Sequence, residues 1–323
     1  MAPAGRCMPW RAGEPSLAGL GRRQGRGVAV RKQQILKDGQ FGFLMVLPAL
    51  VLLGLIVIFP AVYVLVLSLF RDAGATGVWT GLGNYRRLLF KDTKFWPYLL
   101  NSMKYVVFGV GSAFVVGLIV ALSLNAIRRF KAAARVFALW AWAVPPVIAS
   151  LMWKWLLNDT NGAINHILMA LGLVKNPVAW LSLPWGTMFI LSQVHSWTTV
   201  PFIMVILLAG LQTIPPELYE VASIDGAGSL QKLRIITFPL LRGSILTSVM
   251  LSSIFAFRTF DIVFTLTGGG PGETTEMLVT YVYSTAFVSM KLGYAAAMSV
   301  IMVVISMIMV ALFVKLIPTK DVS

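Results

Sequence analysis

Along the chain, long apolar runs alternate with short polar connections. Residues 41–70 form the first run. A bilayer core of about 30 Å needs about 20 helical residues, so this run can cross with tilt. Pro48 and Pro60 lie inside it, which neighbouring helices can tolerate. Residues 71–100 are polar and aromatic, with Trp79, Tyr85, Trp96 and Tyr98 at interfacial spacing. Further spans are predicted at 101–125, 134–157, 185–211, 244–266 and 294–317. Pro145 and Pro146 sit within the third. Between the spans lie a basic loop (Arg128, Arg129, Lys131, Arg135), a weakly charged loop at 158–183, a polar loop at 212–243 and a turn-rich connection at 267–293. The pattern predicts an all-α, polytopic membrane protein with six transmembrane helices.

Composition agrees. The chain is 58% hydrophobic and 12% charged, with mean hydropathy +0.81, against about 25% charge in a soluble domain. A single cysteine, Cys7, excludes an intrachain disulfide and a cysteine metal cluster; His166 and His195 lack a ligand motif, so no metal site is expected. The net charge of +15 is read as membrane topology rather than nucleic-acid binding. If six spans are crossed, the N-terminal tail, the loop near 130, the 212–243 loop and the C-terminus share one side with 17 Lys and Arg, against seven on the other. The positive-inside rule makes the richer side cytoplasmic, with both termini there. Residues 1–40 are expected to be a basic disordered tail, 41–318 the membrane domain, and 319–323 a short cytoplasmic tail.

The longest polar interruption in the second half is Pro215 to Pro239. Pro215 and Pro216 can open a helix, with Glu217 and Glu220 near its positive end. Gly226 and Gly228 permit a left-handed turn. Ser229 can cap a second helix, and Pro239 is expected to end it. The prediction is a compact charged helix–turn–helix on the cytoplasmic surface, suited to docking rather than to bond-breaking chemistry.

Within this loop, Glu220, Ala222, Gly226, Ile236 and Pro239 stand at the spacing of the "EAA" loop of ABC-importer permeases. The Asp225-Gly226-Ala227 version is similar to that of carbohydrate permeases of the maltose, trehalose and glycerol-phosphate type. Val221 and Gly243 depart from the usual pattern. The resemblance extends to Leu82-Gly83-Asn84-Tyr85, Asn101-Ser102, Phe260-Asp261 with Leu266-Thr267-Gly268-Gly269-Gly270-Pro271, and Gly293-Tyr294-Ala295-Ala296-Ala297, and so spans roughly residues 40–318. It implies an ABC-importer permease fold whose loop sits in a groove of a separate cytoplasmic ATPase. Glu217, Glu220, Ala222, Asp225, Gly226, Ala227, Leu233, Ile236 and Pro239 would be the docking residues. It also implies a second permease subunit in a hetero-pair, two ATPase copies carrying ATP and Mg, an extracytoplasmic binding protein, a carbohydrate substrate and a bacterial inner-membrane location. No cofactor is expected on this chain.

Polar groups inside spans are costly and point to function. Arg258 and Asp261 are three apart on the predicted fifth span, placed either to line a path or to pair and fix packing. Gln193 and Trp197 share a face of the fourth span and can serve a sugar or helix packing; His195 lies off that face. Asn101 opens the second span. Lys104 and Lys154 are read as snorkelling to the interface. With Arg258 they outnumber Asp261, which suggests an acidic sugar. The chain has no G-x-x-x-x-G-K-[ST] phosphate loop, H-E-x-x-H or G-x-S-x-G, so neither ATP hydrolysis nor proteolysis has visible equipment. The expected function is that of an ABC-importer permease for a sugar or oligosaccharide, not an enzyme. A peptide or amino-acid permease and an ATP-independent secondary transporter are the alternatives.

Overall fold

A computed structural model describes residues 41–71, 77–127, 129, 131–183 and 186–316. The expectations for 1–40 and 319–323 lie outside them. The described residues are helical apart from connections and one isolated bridge, Phe70 to Trp79. The chain divides into two units, residues 1–61 and 62–323.

Helix α1 is Phe41–Leu67. It widens into π geometry at Gly54–Ile58, where the Phe59 N–H reaches the Gly54 carbonyl, one residue before Pro60. A proline ring clashes with the carbonyl four residues back, and a wider turn relieves that clash.

In the second unit, α2 (Gly83–Phe90) precedes α3 (Phe95–Ala126), which starts six residues before the predicted second span. The predicted third span is broken. α4 (Lys131–Ala143) and α5 (Pro146–Leu156) meet at 89°. Pro145 is extended, at φ −56° and ψ 138°; two successive prolines remove two donors and push the preceding residue out of helical geometry. α6 (Ala163–Ala170) lies in the next connection, and α7 (Gly186–Gln212) matches the fourth span with Pro201 inside it. α8 (Pro216–Ile224) opens the polar loop.

The fifth span differs most. α9 runs unbroken from Ser229 to Phe257, starting 15 residues earlier than predicted and stopping short of Leu266. Pro239 does not end it: Leu233–Thr237 forms a π turn, with the Phe238 N–H on the Leu233 carbonyl, just before the proline. This repeats the arrangement at Pro60. After a break at 258–260 comes α10 (Asp261–Leu266); the turn-rich connection holds a further helix, α11 (Leu278–Val288); α12 is Leu292–Leu316. Among the described residues five helices are long and apolar enough to cross a membrane, six if the α4–α5 pair is one span.

Two buried clusters order the second unit. One lies toward the start of α3 and includes Phe95, Tyr105, Leu191, Phe257, Leu278 and Met298. The other lies toward its end and includes Leu124, Ile203, Leu207, Leu211 and Leu241. Within the second, α3 and α7 press close at Gly117, where a Cβ would stand 3.0 Å from Ile203 Cγ2. Small residues at such seams let backbones approach, which is how helices gain packing energy in lipid.

Gly117→Leu is therefore expected to destabilise the fold by about 1–3 kcal/mol through overpacking. Thermal unfolding in detergent checks this; an unchanged midpoint would mean the seam is loose.

Candidate functional site

In the polar loop Pro215 caps α8, Pro216 opens it, and Glu217 lies in its first turn; Glu220 lies beyond that turn. The helix ends in a turn closed by the Asp225 N–H on the Val221 carbonyl (3.0 Å) and the Ala227 N–H on the Ala222 carbonyl (2.8 Å). Gly226 supplies the left-handed residue at φ +79°. Gly228 does not: at φ −70° and ψ 167° it is the extended residue that caps α9, and Ser229, the first helical residue, makes no capping bond.

The hairpin is pinned by Lys232 Nζ donating to Ser223 Oγ (2.6 Å) and by the Tyr219 and Thr237 hydroxyls (3.0 Å). Tyr219 and Ile236 pack against the second buried cluster, so Ile236 braces the loop from inside. Ala222, Ala227 and Leu233 are half-buried. Glu217, Glu220, Val221, Asp225, Ile224 (86% exposed) and Leu230 (80%) face outward. Large apolar side chains beside carboxylates on an exposed hairpin have the character of a contact surface.

Four of the five intramembrane candidates fall into two clefts. Gln193, Ser196 and Trp197 line one of about 610 Å³ with Trp140 and Trp153. There Gln193 Nε2 and Trp153 Nε1 are buried without a partner, and Trp153 meets Trp197 edge-on at 6.0 Å. Arg258 and Asp261 line another of about 610 Å³ with His195, Thr198, Thr199 and Thr259. The predicted Arg258–Asp261 neighbourhood on one helix face is not formed. Arg258 caps the end of α9 and Asp261 begins α10, with no ion pair between them. Asn101 is in neither cleft; its amide donates to the Glu276 carbonyl (3.0 Å). Lys154 donates to the Thr265 carbonyl (3.0 Å).

At the end remote from the polar loop, side chains tie distant segments together. Asn84 donates to the carbonyls of Ser68 and Phe70, both at 2.8 Å, closing the chain beyond α1. Asp92 accepts from the hydroxyls of Tyr281 (2.8 Å) and Tyr294 (2.6 Å) and from the Lys94 N–H (2.9 Å). Burial alone would raise its pKa, but the bonds from Tyr294, Lys94 and Tyr281 together hold it below the ordinary value. Glu273 is likewise held low by Lys94 at 2.5 Å and the Tyr98 hydroxyl at 2.7 Å. Glu276 is pushed up by burial against an opposing bond from Thr280.

Residues 113–321 match the family "Binding-protein-dependent transport system inner membrane component". The chain is 34% identical over 289 residues to the sulfoquinovosyl glycerol transport system permease protein SmoG of Agrobacterium fabrum, covering 88% of this chain and 93% of that one. It is 36% identical over 244 residues to the trehalose/maltose transport system permease protein MalF of Thermococcus litoralis, covering 75% and 82%. The chain belongs to this family of ABC-importer permeases. Its fold is similar to that of a chain in a bacterial ABC transporter involved in the import of the acidic polysaccharide alginate, with TM-score 0.78, 20% identity and coverage of 90% and 99%.

The permease is thus a multi-pass inner-membrane subunit of an ABC importer and not itself an enzyme; ATP binds on a separate subunit. The secondary-transporter alternative is set aside. Sequence reasoning missed the hydroxyls of the second cleft. His195, Thr198, Thr199 and Phe202 follow helical spacing, and that face could have been found. The Asp92 and Glu273 anchors had no local signal.

Because Asp92 is depressed below its ordinary 3.8, its stabilisation is complete above that value and is lost as pH falls through the folded one. Asp92→Asn should lower the midpoint at pH 7 and flatten its decline between about pH 5 and pH 2. Unfolding midpoints across that range check this; wild-type pH dependence in the variant would exclude Asp92 as the anchor.

Proposed function

We propose that this permease pairs with a second, non-identical permease subunit to form the membrane path of a carbohydrate importer. Two copies of a cytoplasmic ATPase would drive it, and an extracytoplasmic binding protein would deliver the sugar. The observation that carries the coupling is the unbroken α9. It starts at the exposed hairpin, with Glu217, Glu220 and Asp225 on the outer face of the preceding helix and turn. It ends at Arg258 in the second cleft. A helix of 29 residues is about 43 Å long, so displacement of the hairpin by an ATPase is delivered to the cleft as motion of one rigid element. Alternating access follows when ATP binding closes the ATPases and carries the hairpin with them. In this reading both termini and the hairpin are cytoplasmic, and residues 41–318 are the permease domain.

The sugar path is placed in the second cleft, where His195, Thr198, Thr199, Thr259, Arg258 and Asp261 offer hydrogen-bonding groups beside Trp142, Phe202 and Phe260. Hydroxyls and aromatic faces suit the mixed polar and C–H surface of a sugar. The relatives' names, with sulfoquinovosyl glycerol in one and trehalose/maltose in the other, support a carbohydrate over a peptide. Of the three in-membrane cations only Arg258 lines this cleft, and Asp261 stands with it. The lining therefore favours neither an acidic nor a neutral sugar. Gln193 and Trp197 belong to the neighbouring aromatic cleft.

Glu220→Lys should weaken co-purification of the ATPase by about tenfold or more, as charge reversal at a docked carboxylate does. Asp261→Asn should leave co-purification intact and reduce sugar-stimulated ATPase activity of the reconstituted complex. Retention of the ATPase at wild-type level by Glu220→Lys would remove the docking reading. Unchanged stimulation in Asp261→Asn would move the sugar path out of the second cleft.

A further inference from the structure

A third concavity, of about 300 Å³, lies at the Asp92 end of the molecule, between the end of α2, the segment leading into α3, the end of α11 and the start of α12. Its walls carry Arg87, Lys91, Lys94 and Lys291, with Asp92 as the lining carboxylate. That carboxylate is already engaged: two tyrosine hydroxyls and the Lys94 N–H hold it. Lys94 is itself paired with Glu273. Arg87, Lys91 and Lys291 have no carboxylate partner among the described residues; Arg87 lies over the Tyr294 ring, 5.3 Å from its centre. Three cations therefore converge on a small polar pocket that also presents the Thr285 and Ser289 hydroxyls. Such a set is complementary to one phosphate-sized anion.

The surroundings say where that anion comes from. Around the pocket Phe90 (81% exposed), Trp96, Phe287, Val288 (74%) and Met290 (72%) turn outward. The pocket sits where two membrane-crossing helices, α3 and α12, begin. A basic pocket at span ends, fringed by exposed apolar and aromatic side chains, matches a headgroup above acyl chains rather than a solute in bulk water. We propose that this pocket binds the phosphodiester headgroup of one anionic phospholipid, with Arg87, Lys91 and Lys291 neutralising it and the apolar fringe lying along its chains. The site is separate from both clefts and from the hairpin, and does not depend on which sugar is carried.

The test uses the full-length chain in a neutral maltoside detergent, with bound lipid counted by native mass spectrometry after adding phosphatidylglycerol or phosphatidylcholine. Phosphatidylglycerol should be retained at least about tenfold better than phosphatidylcholine. Lys91→Gln with Lys291→Gln should weaken that retention by about fivefold per charge removed. Lys91→Arg with Lys291→Arg should retain it, as should Arg86→Gln, which removes a neighbouring exposed cation outside the pocket. Equal retention of the two lipids, or full retention by the double glutamine variant, overturns the proposal. Displacement of the lipid by millimolar glycerol phosphate, which has no acyl chains, makes this a soluble-anion site and overturns the lipid assignment.

Discussion

Hydrocarbon offers the backbone no water, so every N–H and C=O in a span must find its partner within the protein. Each proline in a span removes one donor and crowds one carbonyl, and much of the architecture follows from how that is absorbed. At Pro60 and Pro239 the preceding turn widens to π geometry and the helix continues. At Pro145 and Pro146 the helix gives way and turns by 89°. At Pro201 the helix runs through. Two of these outcomes shape the working parts. Widening before Pro239 keeps the second arm of the hairpin and the fifth span in one helix. The break at Pro145 brings Val144 and Pro146 to the wall of the second cleft.

The same constraint sorts the polar side chains inside the spans. Ser102, Ser112, Ser123, Ser192, Ser253, Ser299 and Ser306 each donate to the carbonyl four residues back, at 2.7–3.0 Å. Such hydroxyls are satisfied within their own helix and leave little to offer a substrate. Gln193 Nε2, Trp153 Nε1 and His195 Nδ1 are buried without any partner. An unsatisfied buried group is expensive, so its persistence beside a cleft is a better functional pointer than polarity alone.

The run of apolar segments, the loop's two helices and the turn at Gly226 were legible because each rests on local chemistry: length, spacing and a residue that tolerates positive φ. The continuity of α9 was not. Proline normally reads as a terminator, and the π turn that overrides it leaves no mark in the residues 233–237. The allocation of polar residues to clefts was half legible. Gln193 and Trp197 do share a wall, as helical spacing requires, but which wall faces which cleft depends on how α4 and α5 fold back, and that is tertiary. Arg258 and Asp261 were paired by assuming one helix; the break at 258–260 separates them while leaving both in one cleft. The Asp92 network was invisible because its partners lie up to 202 residues away.

The second unit is held differently at its two ends, and this bears on how force would cross it. At the Asp92 end, bonds between residues 92 and 294, 98 and 273, and 102 and 278 stitch α3 to α11 and α12 and to the connection before them. At the hairpin end, the bonds between 223 and 232 and between 219 and 237 are local to the loop and α9. Tyr219 and Ile236 nevertheless seat the hairpin on the second buried cluster, so a load applied there reaches α3 and α7 through packing as well as α9 through its own length. α7 is seamed tightly on both sides: to α3 at Gly117, and to α9 at Gly210, where an added Cβ would collide with the Ser244 side chain. The second cleft lies beyond that seam, lined from α7 on one side and from the end of α9 on the other. In an importer driven from the hairpin, α9 and α7 would carry displacement to the cleft as a packed pair.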